Sequence, residues 1–286
     1  MSLGSRLILL LVSFLLLIPF YGCTQEDPDS ITVLCGSAAK PAVEKAAQVF
    51  EQETGLKVHV HYGSSGDMLS ELRADKKGDL LISGSNDYIE RAERARVIDT
   101  GSEKILAYLV PVIAVQKGNP KNFTSLGDLL TPGMKVAIGN PRSVGVGLYA
   151  YEIFDTEGIL EDVRDAETIV SYADNCQDLA GLLVSKTVDA VIGWDVFAAW
   201  NPDDIDIVPI EPALIPRINY IQGAVCSPSD DKTTAQLFLD YLSSPAGRAI
   251  FADLGYMISE DEARAYAPDA AIGTEYRFPD DYLPLA

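Results

Sequence analysis

The sequence predicts an α/β fold made of two lobes, each a mostly parallel sheet flanked by helices, with a ligand cleft between them. Three observations carry this. Short β-branched runs alternate with stretches of helical period along the chain. Turns rich in Gly and Ser stand where strands give way to helices. Two apolar runs, near 107–112 and 219–224, are placed to carry the chain from one α/β unit to the other and back.

The elements follow in order. Residues 31–35 (ITVLC) read as a strand, followed by Gly36-Ser37-Ala38 and a helix over about 40–54. Val43, Ala46, Ala47 and Phe50 share one face of that helix, and Gly55 ends it. Strand 57–62, the turn Gly63-Ser64-Ser65-Gly66 and a helix through Met68, Leu69 and Leu72 come next. Strand 80–83 and helix 86–94 complete the first unit, and the run 106–116, containing Pro111, leaves it. The second unit reads as strand 135–138, helix 145–156, strand 168–172, helix 175–185, strand 190–192, a short helix after Gly193-Trp194, and strand 205–210. Strand 218–226 is placed to return to the first unit, and helices 232–242 and 245–254 close the fold. This gives lobe one as 31–108 plus 222–258, lobe two as 109–221, and 259–286 as an acidic surface tail rich in Tyr and Pro.

The N-terminus reads as an export signal. Residues 1–22 carry one charge, Arg6, and the apolar core 7–20 is too short to span a bilayer. A small residue, Gly22, precedes Cys23, as in the site where bacterial lipoproteins are cleaved and acylated. Residues 1–22 are then a signal peptide, and 23–30 a lipidated Cys with a polar tether. The alternative is an ordinary cleaved signal with an incidental Cys. Either way the protein is expected to be exported, and through Cys23 to sit on the periplasmic or extracellular face of the membrane.

Charge and cysteine usage exclude other classes. The formal net charge is −20, with 22 Lys+Arg against 42 Asp+Glu. That argues against nucleic acid, which needs a basic face, and against anionic lipid surfaces. The 48% apolar content is enough for a buried core. Cys35, Cys176 and Cys226 have no zinc or CxxC spacing and read as buried thiols or, at most, one bridge. His59 and His61 share one face of a strand, as a metal pair would, but no nearby third ligand completes a set. Gly63-Ser64-Ser65-Gly66 is neither the GxSxG elbow nor a phosphate loop with its lysine. No nucleophile with a base is apparent, so the chain reads as a binding protein, with no catalytic residues and no cofactor.

The binding chemistry lies in four turns: Gly36-Ser37-Ala38, Gly63 to Gly66, Ser143 to Gly147, and Tyr172 to Asn175. Helix N-termini offer unpaired N–H groups and partial positive charge, and Ser adds donors without bulk. Such a site suits an oxyanion held by neutral dipoles. Arg142 is a cation near these turns, able to steer an anion or simply to be solvated.

The stretches ITVLCGSAAKPAVEKAA, HYGSSGDMLSEL, GDLLISGS, KVAIGNPRSVGVGLYA, VDAVIGW and FLDYLSSPAGRAIFADLGYMI, taken in order, give a resemblance over roughly 31–258. The chain resembles the solute-binding proteins of bacterial and archaeal molybdate/tungstate ABC transporters. The resemblance implies a periplasmic-binding-protein-like fold that closes on a bare tetrahedral oxyanion, molybdate or tungstate, and delivers it to a membrane permease. A monomer is expected. The resemblance also implies anion contacts from Ser37 or Ala38, from Ser65 with Ser64 beside it, from the backbone at Gly145 and Val146, and from Asn175 next to Cys176. Some members add a Tyr hydroxyl at a later strand end. Here that place holds Gly193 followed by Trp194, so Trp194 Nε1, Asp195 or nothing replaces it. Sulfate, phosphate or a small organic anion is the alternative ligand class. Phosphate selection would favour an acceptor carboxylate, for which Asp67, Asp174 and Asp195 are the candidates.

Overall fold

The computed structural model describes residues 30–279. The expected signal peptide, Cys23 and most of the tether lie outside the described residues, as do 280–286.

The first sheet gathers β1 (Ser30–Gly36), β2 (Lys57–Gly63), β3 (Leu80–Ser83), β4 (Lys104–Leu109), β10 (Arg217–Val225) and β11 (Ala271–Ile272). Its order is β11-β10-β3-β1-β2, with β4 also on β10. Between these strands run α1 (Lys40–Thr54), α2 (Ser65–Asp75) and α3 (Asn86–Arg94). The second sheet has the order β7-β6-β8-β5-β9, with β5 (Pro111–Gln116), β6 (Val136–Gly139), β7 (Ile169–Ala173), β8 (Ala190–Trp194) and β9 (Ile205–Pro209). It carries α4 (Gly145–Thr156), α5 (Leu160–Asp165), α6 (Cys176–Val184) and α7 (Phe197–Trp200). Helices α8 (Lys232–Ser243), α9 (Pro245–Asp253) and α10 (Glu260–Arg264) follow the return to the first sheet.

Both sheets are mixed. β1 and β3 run parallel, as do β6, β7 and β8, while the strands at the crossings run antiparallel to their neighbours. The apolar run 106–116 is two strands in two sheets, broken at Val110. Pro111 has no N–H to give a ladder, and it stands at the first residue of β5, where strand prolines are tolerated. The second crossing lies at 210–216, ahead of the expected 219–224, so β10 belongs to the first sheet over its whole length. Pro209, Pro212 and Pro216 punctuate that crossing, while β10 after Pro216 contains no proline.

The helical face expected on α1 is the buried one: Val43, Ala46 and Phe50 are all at or near zero exposure. Phe50 packs 5.0 Å from the Phe238 ring of α8, centroid to centroid. Gly55 ends α1 at φ 77, a left-handed position that glycine takes without steric penalty. One continuous apolar cluster runs from Ile31 and Phe50 through Val146 to Trp194 and Phe197, so both lobes share it.

Residues 259–279 are not a loose surface tail. α10 and β11 fold back, with Ala263, Ala267 and Ala270 buried in the second apolar cluster and Ile272, Tyr276 and Phe278 packed against it. The small residues are the reason: three alanines let the backbone lie close to the core, while Glu260, Asp261, Glu262 and Asp269 stay exposed.

Candidate functional site

The four predicted turns come into contact, 36–38 with the head of α6, 63–66 with 143, and 36 with 65. Ser37 follows β1 in a 3-10 turn and is 4% exposed. Its Oγ accepts the Cys176 N–H at the head of α6, at 3.0 Å. Its carbonyl accepts Gln177 Nε2 at 2.9 Å. The Gly66 N–H, in the first turn of α2, donates to the Ser143 carbonyl of the opposite lobe at 2.9 Å. Gly145, opening α4, lies so close to Ser85 that a Cβ added there would stand 2.5 Å from the Ser85 Cβ. The two lobes are thus in contact through the very turns that the sequence singled out.

All the predicted binding residues except Asn175 are buried. Ser65 is buried and its Oγ accepts the Gly84 N–H at 3.0 Å. A hydroxyl that accepts once still has its own hydrogen to donate. Ser64 is the N-cap of α2, its Oγ taking the Asp67 N–H at 3.0 Å. Asn175 does the same for α6, taking the Asp178 N–H at 2.9 Å and donating Nδ2 to the Asp178 carboxylate. Asn175 therefore spends both ends of its amide on α6, whereas Ser64, like Ser65, keeps its own hydrogen to donate. Ala38 is buried beside Gly84, and its carbonyl accepts Tyr256 Oη–H at 2.7 Å. Val146 is fully buried in the first turn of α4.

Trp194 and Cys176 complete the cluster. Burial pushes the Cys176 thiol up to about 12, while the Ser37 and Trp194 side chains pull it the other way. Trp194 is fully buried, with the Tyr149 ring edge-on at 5.1 Å. Its Nε1–H is close enough to favour the thiolate but makes no hydrogen bond among the described residues. Leaving a buried N–H unmade costs on the order of 1–3 kcal/mol. Tyr88 Oη, Thr168 Oγ1, Trp200 Nε1 and Arg217 Nη2 are the other buried side-chain atoms without a hydrogen-bond partner among the described residues.

Of the charged candidates, Asp195 adjoins Trp194 and the others lie at the surface. Asp67, Asp174 and Arg142 are exposed. Asp195 accepts the Val110 N–H at 2.9 Å and returns its own N–H to the Val110 carbonyl, tying β8 to the first crossing. Burial raises its carboxyl to about 7. His61 Nδ1 lies 3.1 Å from Glu71 on the exposed side of the molecule. Among the described residues no group of three or more His, Cys, Asp or Glu is placed to hold a metal ion. A surface cavity of about 480 Å³ lined by Lys117, Asn119, Pro202 and Asp206 lies away from the turns. Its ionic groups are already paired, Lys117 with Asp206 at 2.8 Å.

Sequence reasoning missed the support behind the cluster. Ser85 Oγ donates to Asp87 at 2.5 Å. Asp87 and Glu152 both bind Arg217, at 3.0 and 2.6 Å, and all three are buried. The Arg217 guanidinium lies 3.9 Å from the Tyr149 ring centroid. Burial pulls Arg217 down, but Tyr149, Asp87 and Glu152 outweigh it and hold it above its ordinary value. Burial likewise raises Glu152, against the lowering effect of Arg217. Asp87 stands on α3 of the first lobe, Glu152 on α4 of the second and Arg217 at the start of β10, so the cluster sits where the lobes join. Ser83-Gly84-Ser85 has the composition of the other four turns, and that signal could have found it.

Residues 31–257 match the family described as bacterial extracellular solute-binding proteins. A Haemophilus influenzae protein named "Putative binding protein" is 31% identical over 224 residues, covering 78% of this chain and 88% of that one. The molybdate-binding protein ModA of Escherichia coli is 26% identical, covering 83% and 92%. Among solved structures, the sulfate-binding protein SubI of Mycobacterium tuberculosis shares the fold with a TM-score of 0.72 at 20% identity, covering 85% and 93%. On the extent of the family match and the Haemophilus relative, this chain belongs to the bacterial extracellular solute-binding proteins.

Proposed function

We propose that this protein is the receptor of an ABC transporter, capturing molybdate or tungstate between its lobes and delivering it to the permease. The observation that carries the reading is the Ser37–Cys176–Trp194 cluster: a cross-lobe contact of neutral donors with one indole N–H unspent. Ser65, Gly145 and Val146 border it, and Ser64, Ala38 and Asn175 hold its turns in place. The proposal includes no cofactor and no catalysis. It includes a monomer, exported by residues 1–22 and anchored through a lipid on Cys23.

A dianion and a chain of net charge −20 are compatible. The Debye length is about 8 Å at physiological salt, so the surface charge is screened. The donors in the cluster act at contact distance and are already oriented. Sulfate is the second reading, favoured by the fold shared with a sulfate-binding protein. Phosphate is disfavoured, because Asp67 and Asp174 are exposed and Asp195 is engaged by Val110.

Calorimetric titration of the chain lacking residues 1–23 with molybdate, tungstate, sulfate and phosphate tests this directly. Sub-micromolar binding of molybdate or tungstate with sulfate silent is the expected result. Silence toward all four removes the reading. Ser65→Ala and Trp194→Phe are each expected to weaken binding by about 1–3 kcal/mol, the cost of leaving a charged acceptor unmet. Unchanged affinity in both would move the site elsewhere.

A further inference from the structure

The chain after residue 257, beyond the family match, makes a third connection between the lobes. β11 adds to β10 in the first sheet. Thr274 then takes a left-handed φ of 68, rare for a β-branched residue. Its carbonyl accepts both Asn86 Nδ2 and Arg217 Nη1 at 2.6 Å. Glu275, its side chain 8% exposed, binds Arg91 at 3.0 Å and Arg94 at 2.7 Å on α3. The Tyr276 N–H donates to Asp87, also on α3, at 3.0 Å. The same residue's hydroxyl then reaches α4 of the other lobe, donating to Asp155 at 2.6 Å. The Phe278 ring stands 5.2 Å from that of Tyr151, on α4 as well. Three consecutive residues thus grip one helix in each lobe. The grip passes through Asp87 to Ser85, which faces Gly145 in the cleft.

From this we infer that residues 271–278 are a strap that stabilises the lobes in contact, so that the protein rests nearer its closed form than its two crossings alone would dictate. An element that binds both lobes only when they are together lowers the energy of that arrangement. Removing it shifts the population toward separated lobes and reduces apparent ligand affinity in proportion to the competent fraction lost. The affinity part rests on the receptor reading above; the shape part does not.

The test uses the mature soluble chain, a Tyr276→Phe variant, a Glu275→Gln variant and a truncation after Gly273. Tyr276→Phe removes the bond to Asp155 and keeps the ring. Small-angle scattering of the unliganded proteins reads the shape without reference to any anion. The expected result is a larger radius of gyration in the truncation and, by a smaller amount, in both point variants. Molybdate affinity is expected to fall about tenfold in the truncation. An unchanged radius of gyration in the folded variants, with only a lower melting temperature, would make the segment ordinary packing and overturn the strap. If no anion binds the parent chain but the radius grows, the strap stands and the receptor reading fails. If the truncation does not fold, the two point variants decide.

Discussion

Arg217→Met is expected to destabilise the protein by about 3–5 kcal/mol, the range for removing one partner of a buried ion pair. Arg217 is 2% exposed and serves two carboxylates and one carbonyl, Asp87, Glu152 and Thr274. Methionine fills similar space but leaves the carboxylates buried and facing each other without a cation. Glu152 already has a raised pKa, because burial penalises its charged form and Arg217 only partly offsets this. A raised acid stabilises the folded state below its unfolded pKa and loses that contribution as pH rises through the folded value. Without Arg217 the Glu152 pKa climbs further, so the deficit is expected to be smaller at pH 5 than at pH 8. Urea unfolding at the two pH values measures both statements. A loss under about 1 kcal/mol, or one independent of pH, would show that the cluster is less buried than its geometry says.

Gly147→Ala is the second substitution with a large expected effect. A Cβ at Gly147 would overlap the Gly139 carbonyl at the end of β6. The obstruction is backbone, and β6 is fixed by β7 on one side and β8 on the other. The first turn of α4 must therefore move, taking Gly145 away from Ser85 and shifting the Val146 N–H. Overpacking costs about 1–3 kcal/mol and more where backbone is hit, so a loss of about 3 kcal/mol is expected. Anion binding should fall with it. Gly181→Ala on α6 is the control, since a Cβ there meets nothing within 4 Å. It should be neutral or stabilise by up to about 1 kcal/mol, the propensity difference between Gly and Ala in a helix. Equal losses in the two variants would refute the close-approach argument.

The sequence made visible what depends on local pattern. The α1 face, the order of strands and helices, and the Gly/Ser turns all follow from periodicity and turn chemistry, and the structure brings Ser37, Ser65, Gly145, Cys176 and Trp194 to one place. Groups that depend on distant pairing were invisible. Glu152 and Arg217 are 65 positions apart, and Asp87 and Arg217 are 130 apart. In a chain with 42 acidic residues, nothing marks which two of them meet an arginine inside. The C-terminal segment was hidden for a similar reason. Its acidic residues suggested solvent, yet Glu275 is held between two arginines of α3, and alanines spaced along it do the burying. Ser64 and Asn175 show a third limit, because capping and ligand binding ask for the same side chains at the same turns.

Trp194 has an optical consequence. The chain has two tryptophans, and the other, Trp200, is stacked on Phe197 at 5.0 Å. Trp194 is sealed from water, with its indole nitrogen unbonded beside the cleft contact. An oxyanion that takes up that N–H, as proposed, would place negative charge against the pyrrole ring and shift the emission of this tryptophan. Under the receptor reading the protein has a label-free optical reporter, best read in a Trp200→Phe background, because Trp200 lies 6.3 Å from the Tyr256 ring whose hydroxyl donates to the Ala38 carbonyl.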